Sequence, residues 1–301
     1  MDAVTYRSIC WIFALSNFPF IINCRGRVLS LENPQIMGII NTTEDSFYAH
    51  NRSLDHKHLL SLAQEMVIAG ATILDLGGMS TRPGSKEISV QQELDQLLPA
   101  LEMIREQFPD IFISIDTYRS EVADQGIASG ADIINDISGG FLDPKMPELV
   151  ASSNIPYIIM HMRGTPQNMN DLAIYEDDIL TEIISYFFRL KEAYLKIGIN
   201  DLIIDPGFGF AKNIQHNYLI LQRLSELSIL DLPILIGVSR KGMFWRPLKL
   251  TPEEVLPATV AANFYALQQG AKILRVHDVS AAQQAIYVWS QISNSNDKFI
   301  I

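Results

Sequence analysis

The chain has 301 residues, 48% hydrophobic and 19% charged, and carries a formal net charge of −11 at pH 7. This balance predicts a folded globular chain, long enough for two ordinary domains or one large α/β barrel. It excludes the basic surface needed to bind nucleic acid or an anionic membrane non-specifically, so an anionic ligand must be held by a few placed cations.

At the N-terminus the stretch over 9–22, ICWIFALSNFPFII, is apolar but interrupted by Asn17 and Pro19, and only Arg7 precedes it as a positive charge. It lacks a small-residue cleavage site and is too short to span a bilayer. The expectation is a hairpin or strand packed on the rest of the chain, with no membrane partner and a cytoplasmic location. Cys10 and Cys24 are too few for a disulfide scaffold and stand in no metal-like spacing.

Past residue 34 short apolar runs alternate with longer amphipathic stretches. Strands are predicted over 36–40, 72–76, 111–115, 132–135, 157–160, 202–204, 234–237 and 272–276, each apolar on both faces as a covered parallel strand requires. Helical patterns lie over 56–69, 91–107, 119–129, 145–152, 177–196, 214–227, 252–269 and 281–292. Gly70, Gly130, Gly198 and Gly270 stand where helix C-caps are expected. Strict alternation of strand and helix predicts a single (β/α)8 TIM barrel, with a doubly wound sheet as the alternative. The expected organisation is an N-terminal extension or hairpin over 1–33, a catalytic barrel over 34–293 and a loosely held tail over 294–301.

In such a barrel the reacting groups project from the C-terminal ends of the strands. Those ends carry, in order, Asn41, Asp75, Asp116, Asn135 with Asp136, His161, Asp205, Ser239 with Arg240 and Lys241, and Arg275 with His277 and Asp278. Asp116, Asn135 and Asp205 suit the amidine-like edge of a nitrogen heterocycle, which a carboxylate accepts as it accepts arginine. Arg82, Lys241, Arg275 and His277 are the cations available for phosphate oxygens. Asn41 is a neutral oxygen donor of the kind Mg2+ takes when it keeps most of its waters. Together these residues point to a heterocycle bearing a diphosphate. GFG at 207–209 has neither a Walker lysine nor a dinucleotide fingerprint. His56 and His58 read as solvated surface, His161 as a hydrogen-bonded barrel histidine, and 186–188 as helix packing or a subunit contact.

The motifs at these positions are MGIINTTEDSF (37–47), DLGGMSTRPG (75–84), ISIDT (113–117), IINDISGG (133–140), MHMRGTP (160–166), DPGFGFAKN (205–213), GVSRKGM (237–243) and LRVHDV (274–279). In that order they resemble the dihydropteroate synthases. The resemblance implies an enzyme joining a pterin diphosphate to p-aminobenzoate with Mg2+, usually as a homodimer. It implies that Asp116, Asn135, Asp205 and Lys241 grip the pterin, with Met160, Phe210 and Gly237 lining the slot. Asn41, Thr81, Arg82, Arg275 and His277 match the diphosphate and Mg2+ site. Ser239, Lys241 and Phe210 match the p-aminobenzoate subsite, over which Asp45 and Phe47 of the first loop are expected to reach.

The chain departs from the family pattern at Glu44 and over 48–51 in the first loop, at Met79 where the family usually has Glu, and at Ala211 where it usually has Gly. Two other readings stay open. One is a pterin barrel of the methyltetrahydrofolate:corrinoid methyltransferase kind, which needs neither the SRK of 239–241 nor the RVH of 275–277. The other is a non-catalytic barrel that keeps the pterin slot.

Overall fold

In the computed structural model, which describes residues 19–42, 52–79, 88–169 and 171–295, the chain enters through an antiparallel hairpin of β1 (Ile21–Cys24) and β2 (Arg27–Ser30). Arg25 (φ 55) and Gly26 (φ 83) form its two-residue turn, whose positive φ values match the twist of the flanking strands. Alternation along β1 turns Ile22 and Cys24 to one face, and with Leu29 and Leu31 they pack onto Met37, Ile73, Ile133, Ile158, Ile203, Leu235 and Ile273. Those residues face inward near the beginnings of the barrel strands, so the hairpin closes the end of the barrel away from the strand tips. Arg27 anchors it, pairing with Asp132 at 2.8 Å and lying over the Phe112 ring at 4.5 Å.

The barrel is built from β3 (Gln35–Asn41), β4 (Ile73–Gly77), β5 (Phe112–Asp116), β6 (Ile133–Asp136), β7 (Tyr157–Met160), β8 (Leu202–Asp205), β9 (Leu235–Ile236) and β10 (Ile273–Val276). They form one parallel sheet in the order β8-β7-β6-β5-β4-β3-β10-β9, and a parallel bridge between Ile204 and Ile234 closes it. The helices are α1 (Arg52–Ile68), α2 (Val90–Gln107), α3 (Ser120–Ala128), α4 (Met146–Ser153), α5 (Ile179–Lys196), α6 (Ile214–Gln222), α7 (Gly242–Leu248), α8 (Leu256–Gln268) and α9 (Val279–Ser295). Outward strand residues such as Leu74, Leu76, Ile113, Ile159 and Ile204 join the apolar faces of these helices in the larger core. The expected barrel is therefore present and the doubly wound alternative is not.

Several boundaries differ. β3, β4, β5, β6 and β8 run on to Asn41, Gly77, Asp116, Asp136 and Asp205, so polar end residues are ladder residues rather than loop residues. The helix expected over 214–227 stops at Gln222, and a 3-10 segment, Leu224–Leu230, follows. The helix expected over 252–269 starts at Leu256 with proline in its first turn, where the missing N–H costs nothing. α7 was not anticipated, and α9 passes the expected barrel boundary at 293. A hairpin stands at 21–30, inside the extension expected over 1–33; of the stretch over 9–22 from which a hairpin or strand was expected, residues 9–18 lie outside the described residues, as do the rest of 1–18 with Cys10. Cys24 is buried against the barrel, and its thiol is pushed up to about 12 by that burial. Among the described residues no helix is long and apolar enough to cross a membrane.

Candidate active site

Period-two alternation decides which strand-end groups reach the barrel interior. Two residues beyond the inward apolar layer stand Ile39, Asp75, Ser114, Asn135, Met160, Asp205, Gly237 and Arg275. Further along the same faces come Asn41, Gly77, Asp116, Ser239 and His277. The interior thus turns from apolar to polar toward the strand tips.

Arg275 is the centre of that polar region. Its Nε–H donates to Asp75 Oδ2 at 2.6 Å and its Nη2–H to Asp116 Oδ2 at 2.6 Å. Asn135 Nδ2–H donates to the same Asp75 Oδ2 at 3.2 Å. Among the described residues Asp116 Oδ1 and Ser114 Oγ are buried without a hydrogen-bond partner. Burial, opposed by Arg275 and reinforced by Asp75, pushes the Asp116 carboxyl up to about 7. An orphaned buried acceptor is costly to leave unpaired, so the site is short of donors until a ligand supplies them.

Asp205 is also buried, which raises its carboxyl above the usual range; Gly207 N–H donates to its Oδ1 at 2.7 Å. Gly237 lies beside it, where a Cβ would stand 3.9 Å from Asp205 Oδ2. Ser239 Oγ lies 3.0 Å from His277 Nδ1 and accepts from the His277 backbone N–H at 3.2 Å. Burial, with Arg275 and Arg240 nearby, lowers His277 to about 4, which favours its neutral imidazole over the cation. Lys241 Nζ stands 4.6 Å from the centroid of the Phe210 ring.

Above these groups opens a cavity of about 520 Å³, lined by Asn41, Asp116, Phe210, Gly237, Ser239, Lys241, Arg275 and His277 among others. Asn135, Met160 and Asp205 lie deeper and are buried; they do not form its wall. Asp45, Phe47, Thr81 and Arg82 lie outside the described residues.

The other strand-end groups have the opposite parity. Asp136 accepts from Tyr157 Oη–H at 2.6 Å and from the Ser138 and Gly140 N–H groups. His161 packs edge-on against Tyr186 and its Nδ1 lies 3.0 Å from Lys212 Nζ, which bears out its reading as a hydrogen-bonded barrel histidine. Arg240 pairs with Asp278 at 2.7 Å. The sequence named Asp75 among the strand-end groups but assigned it no role, although its parity with Ile73 carries that signal. It also missed Met243, Trp245 and Arg246 on α7, and Met169 and Asn217, which all line the cavity. Met79, the departure in the second loop, is part of the same wall.

A closed parallel barrel with this inward polar cluster defines a class. The family described as pterin binding enzyme matches residues 37–277. The dihydropteroate synthase of Escherichia coli (strain K12) is 42% identical over 270 residues, covering 88% of this chain and 93% of that protein. Among solved structures, a Xanthomonas albilineans dihydropteroate synthase with 4-aminobenzoic acid is 34% identical at a TM-score of 0.84, covering 92% of this chain and 99% of that one. Another from the same organism, in complex with 7,8-dihydropteroate, is 32% identical at a TM-score of 0.79 and covers 91% and 98% of the two chains. This chain belongs to the dihydropteroate synthases, transferases of folate biosynthesis.

Proposed function

We propose that the chain condenses 6-hydroxymethyl-7,8-dihydropterin diphosphate with p-aminobenzoate, releasing 7,8-dihydropteroate and diphosphate. The observation that carries this reading is the inward cluster of Asp116, Asn135, Asp205 and Arg275 beneath one cavity. The relatives solved with 4-aminobenzoic acid and with 7,8-dihydropteroate support it.

In this reading Asp116, Asn135 and Asp205 accept the N–H groups of the pterin edge, and Lys241 donates to its oxygen, with Phe210 and Gly237 as walls and Met160 beneath them. The unpartnered Asp116 Oδ1 is the acceptor this arrangement needs. Arg275 and His277, joined by Thr81 and Arg82, take the diphosphate oxygens; neutral His277 does so as an N–H donor. The C–O bond to diphosphate breaks, its electron pair leaving with the diphosphate, and the aniline nitrogen bonds to the exposed methylene carbon. The nitrogen then loses its proton to water. Ionised Asp116 stabilises the positive charge that develops on the pterin. Ser239, Lys241 and Phe210, with Asp45 and Phe47, orient p-aminobenzoate for that attack, which supplies the proximity term.

Mg2+ fits this site as a substrate-borne ion. Asn41 offers one neutral oxygen at the cavity wall, and among the described residues no three His, Cys, Asp or Glu side chains cluster as a cage. When bound, the ion neutralises diphosphate oxygens. The homodimer is part of the proposal. Tyr265 of α8 and Tyr287, Val288 and Ile292 of α9 are exposed on helices that pack together, the kind of apolar face a second copy covers. The cytoplasmic expectation is kept as part of the proposal.

The test is turnover: purified protein with pterin diphosphate, p-aminobenzoate and Mg2+. Dihydropteroate and diphosphate appearing together are expected; tight pterin binding without product under every metal condition would instead favour the non-catalytic barrel.

A further inference from the structure

The chemistry above uses Asp116, Asn135 and Arg275 and leaves Asp75 without a part. Asp75 is fully buried and forms no part of the cavity wall. It nevertheless accepts from both of its ligand-facing neighbours, Arg275 through Nε at 2.6 Å and Asn135 through Nδ2 at 3.2 Å. Asp116 holds the other arm of the same guanidinium, through Nη2 at 2.6 Å, and does line the cavity. Two carboxylates therefore share one arginine through different nitrogens, and only one of them is open to a ligand. A heterocycle donating to Asp116, or an anion drawing on the guanidinium, competes with the Nη2 bond. The Nε bond runs to Asp75, which has no exposed surface, whereas the pterin acceptors Asn135 and Asp205 keep 5% and 8% of theirs.

We infer that Asp75 is a positioning residue: it keeps Arg275 and Asn135 seated in the barrel while Asp116 exchanges its guanidinium partner for the pterin ring. The inference rests on the pterin-binding half of the synthase reading. The charged groups that face Asp116 are Arg275, Asp75, Glu93 and Asp136; Arg275 favours its ionised form and the three acids oppose it. Replacing Asp75 by Asn removes one opposing charge and leaves Arg275 to Asp116 alone. Asp116 then ionises at lower pH, and its bond to Arg275 becomes harder to exchange. Pterin binding suffers, whereas the p-aminobenzoate subsite at Ser239 and Phe210 does not.

The experiment compares wild type with Asp75→Asn by calorimetry with pterin diphosphate across the acid range, alongside KM for p-aminobenzoate. Expected are an affinity for pterin diphosphate weaker by about tenfold or more, a KM for p-aminobenzoate changed by less than about twofold, and an acid limb of binding displaced to lower pH. Equal losses for both substrates with an unmoved acid limb would show a merely structural part and overturn the inference. A second measurement needs no variant at Asp75. The Arg275 Nε–H proton resonance, assigned by its absence in Arg275→Lys, is expected to exchange slowly with solvent both before and after pterin binding; its loss on binding overturns the inference. Wild type that binds pterin diphosphate but makes no product would sink the synthase reading and leave these two arms decisive. Wild type that binds no pterin would sink both.

Discussion

Asp205 and Arg275 separate the two halves of the proposed ligand at the scale of single residues. Asp205→Ala removes the buried acceptor assigned to the pterin edge, so pterin affinity is expected to fall by about a hundredfold or more, with or without the diphosphate. Arg275→Ala is expected to weaken binding of the diphosphate form far more than that of the bare pterin. Calorimetry with both ligands checks the contrast, and equal losses would reassign Arg275. Asp116 makes a prediction of opposite kind. Its carboxyl is raised to about 7 in the fold, mainly by burial, so its stabilising contribution is present below the unfolded value and lost as pH rises through 7. Asp116→Asn should therefore be inactive, and its stability relative to wild type is expected to improve as pH rises from about 5 to about 8, because only the wild-type carboxyl ionises at a cost over that range. Thermal melts at the two pH values read this, and a pH-independent difference would contradict it. At this scale the sequence named most of the cluster, because strand-end polar residues are visible as such. It set His161 aside as a barrel histidine, but strand-end polarity alone did not sort Asp136, Arg240 and Asp278 away from Asn135, Asp205 and Arg275. Parity along each strand does that, and it was legible; the shared guanidinium was not, since pairing across the barrel depends on register between strands distant in the chain.

The elements are held to the site by a few close approaches. Gly207 follows β8 at φ 73, and a Cβ there would stand 2.1 Å from the His161 carbonyl oxygen. Gly198 caps α5 at φ 96 with nothing within 4 Å of its Cβ position. Gly198→Ala is thus expected to cost about 1 kcal/mol for backbone strain alone. Gly207→Ala adds a backbone clash and should cost about 3 kcal/mol or more, with loss of activity. Urea denaturation of the pair tests it, and similar costs would mean that the loop after β8 is not pinned to β7. Leu29 of β2 is buried at the far end of the barrel, so Leu29→Ala should cost about 2–4 kcal/mol while leaving KM for either substrate unchanged. The strands and the glycine caps were readable from periodicity and composition; Gly70, Gly130, Gly198 and Gly270 all take positive φ. α7 was not readable, because a helix of 7 residues holding Pro247 carries no periodic signal of its own. Its side chains nonetheless complete one wall of the cavity. Ala211 takes φ 49, a left-handed conformation that explains why glycine is usual there in the family pattern.

For the whole molecule, the exposed Tyr265, Tyr287, Val288 and Ile292 predict self-association. Sedimentation should find a dimer that Val288→Asp converts to monomer; a wild-type monomer at micromolar concentration would refute the proposed face. Alternating strand and helix made the barrel legible, and order of motifs made the family legible. The plug of the barrel floor was legible only as an apolar N-terminal extension over 1–33; the pairing that makes the hairpin at 21–30 was not, since strands of four residues carry little periodic signal. The central claim is that the inward cluster around Arg275 is where the pterin sits. A crystal structure of the protein with 7,8-dihydropteroate tests it most directly. The account predicts the pterin edge on Asp116, Asn135 and Asp205, the Arg275 Nε bond to Asp75 retained, and the benzoate end beside Ser239. A pterin ring seated anywhere else in the cavity, with Asp205 and Asp116 still unliganded, would contradict it.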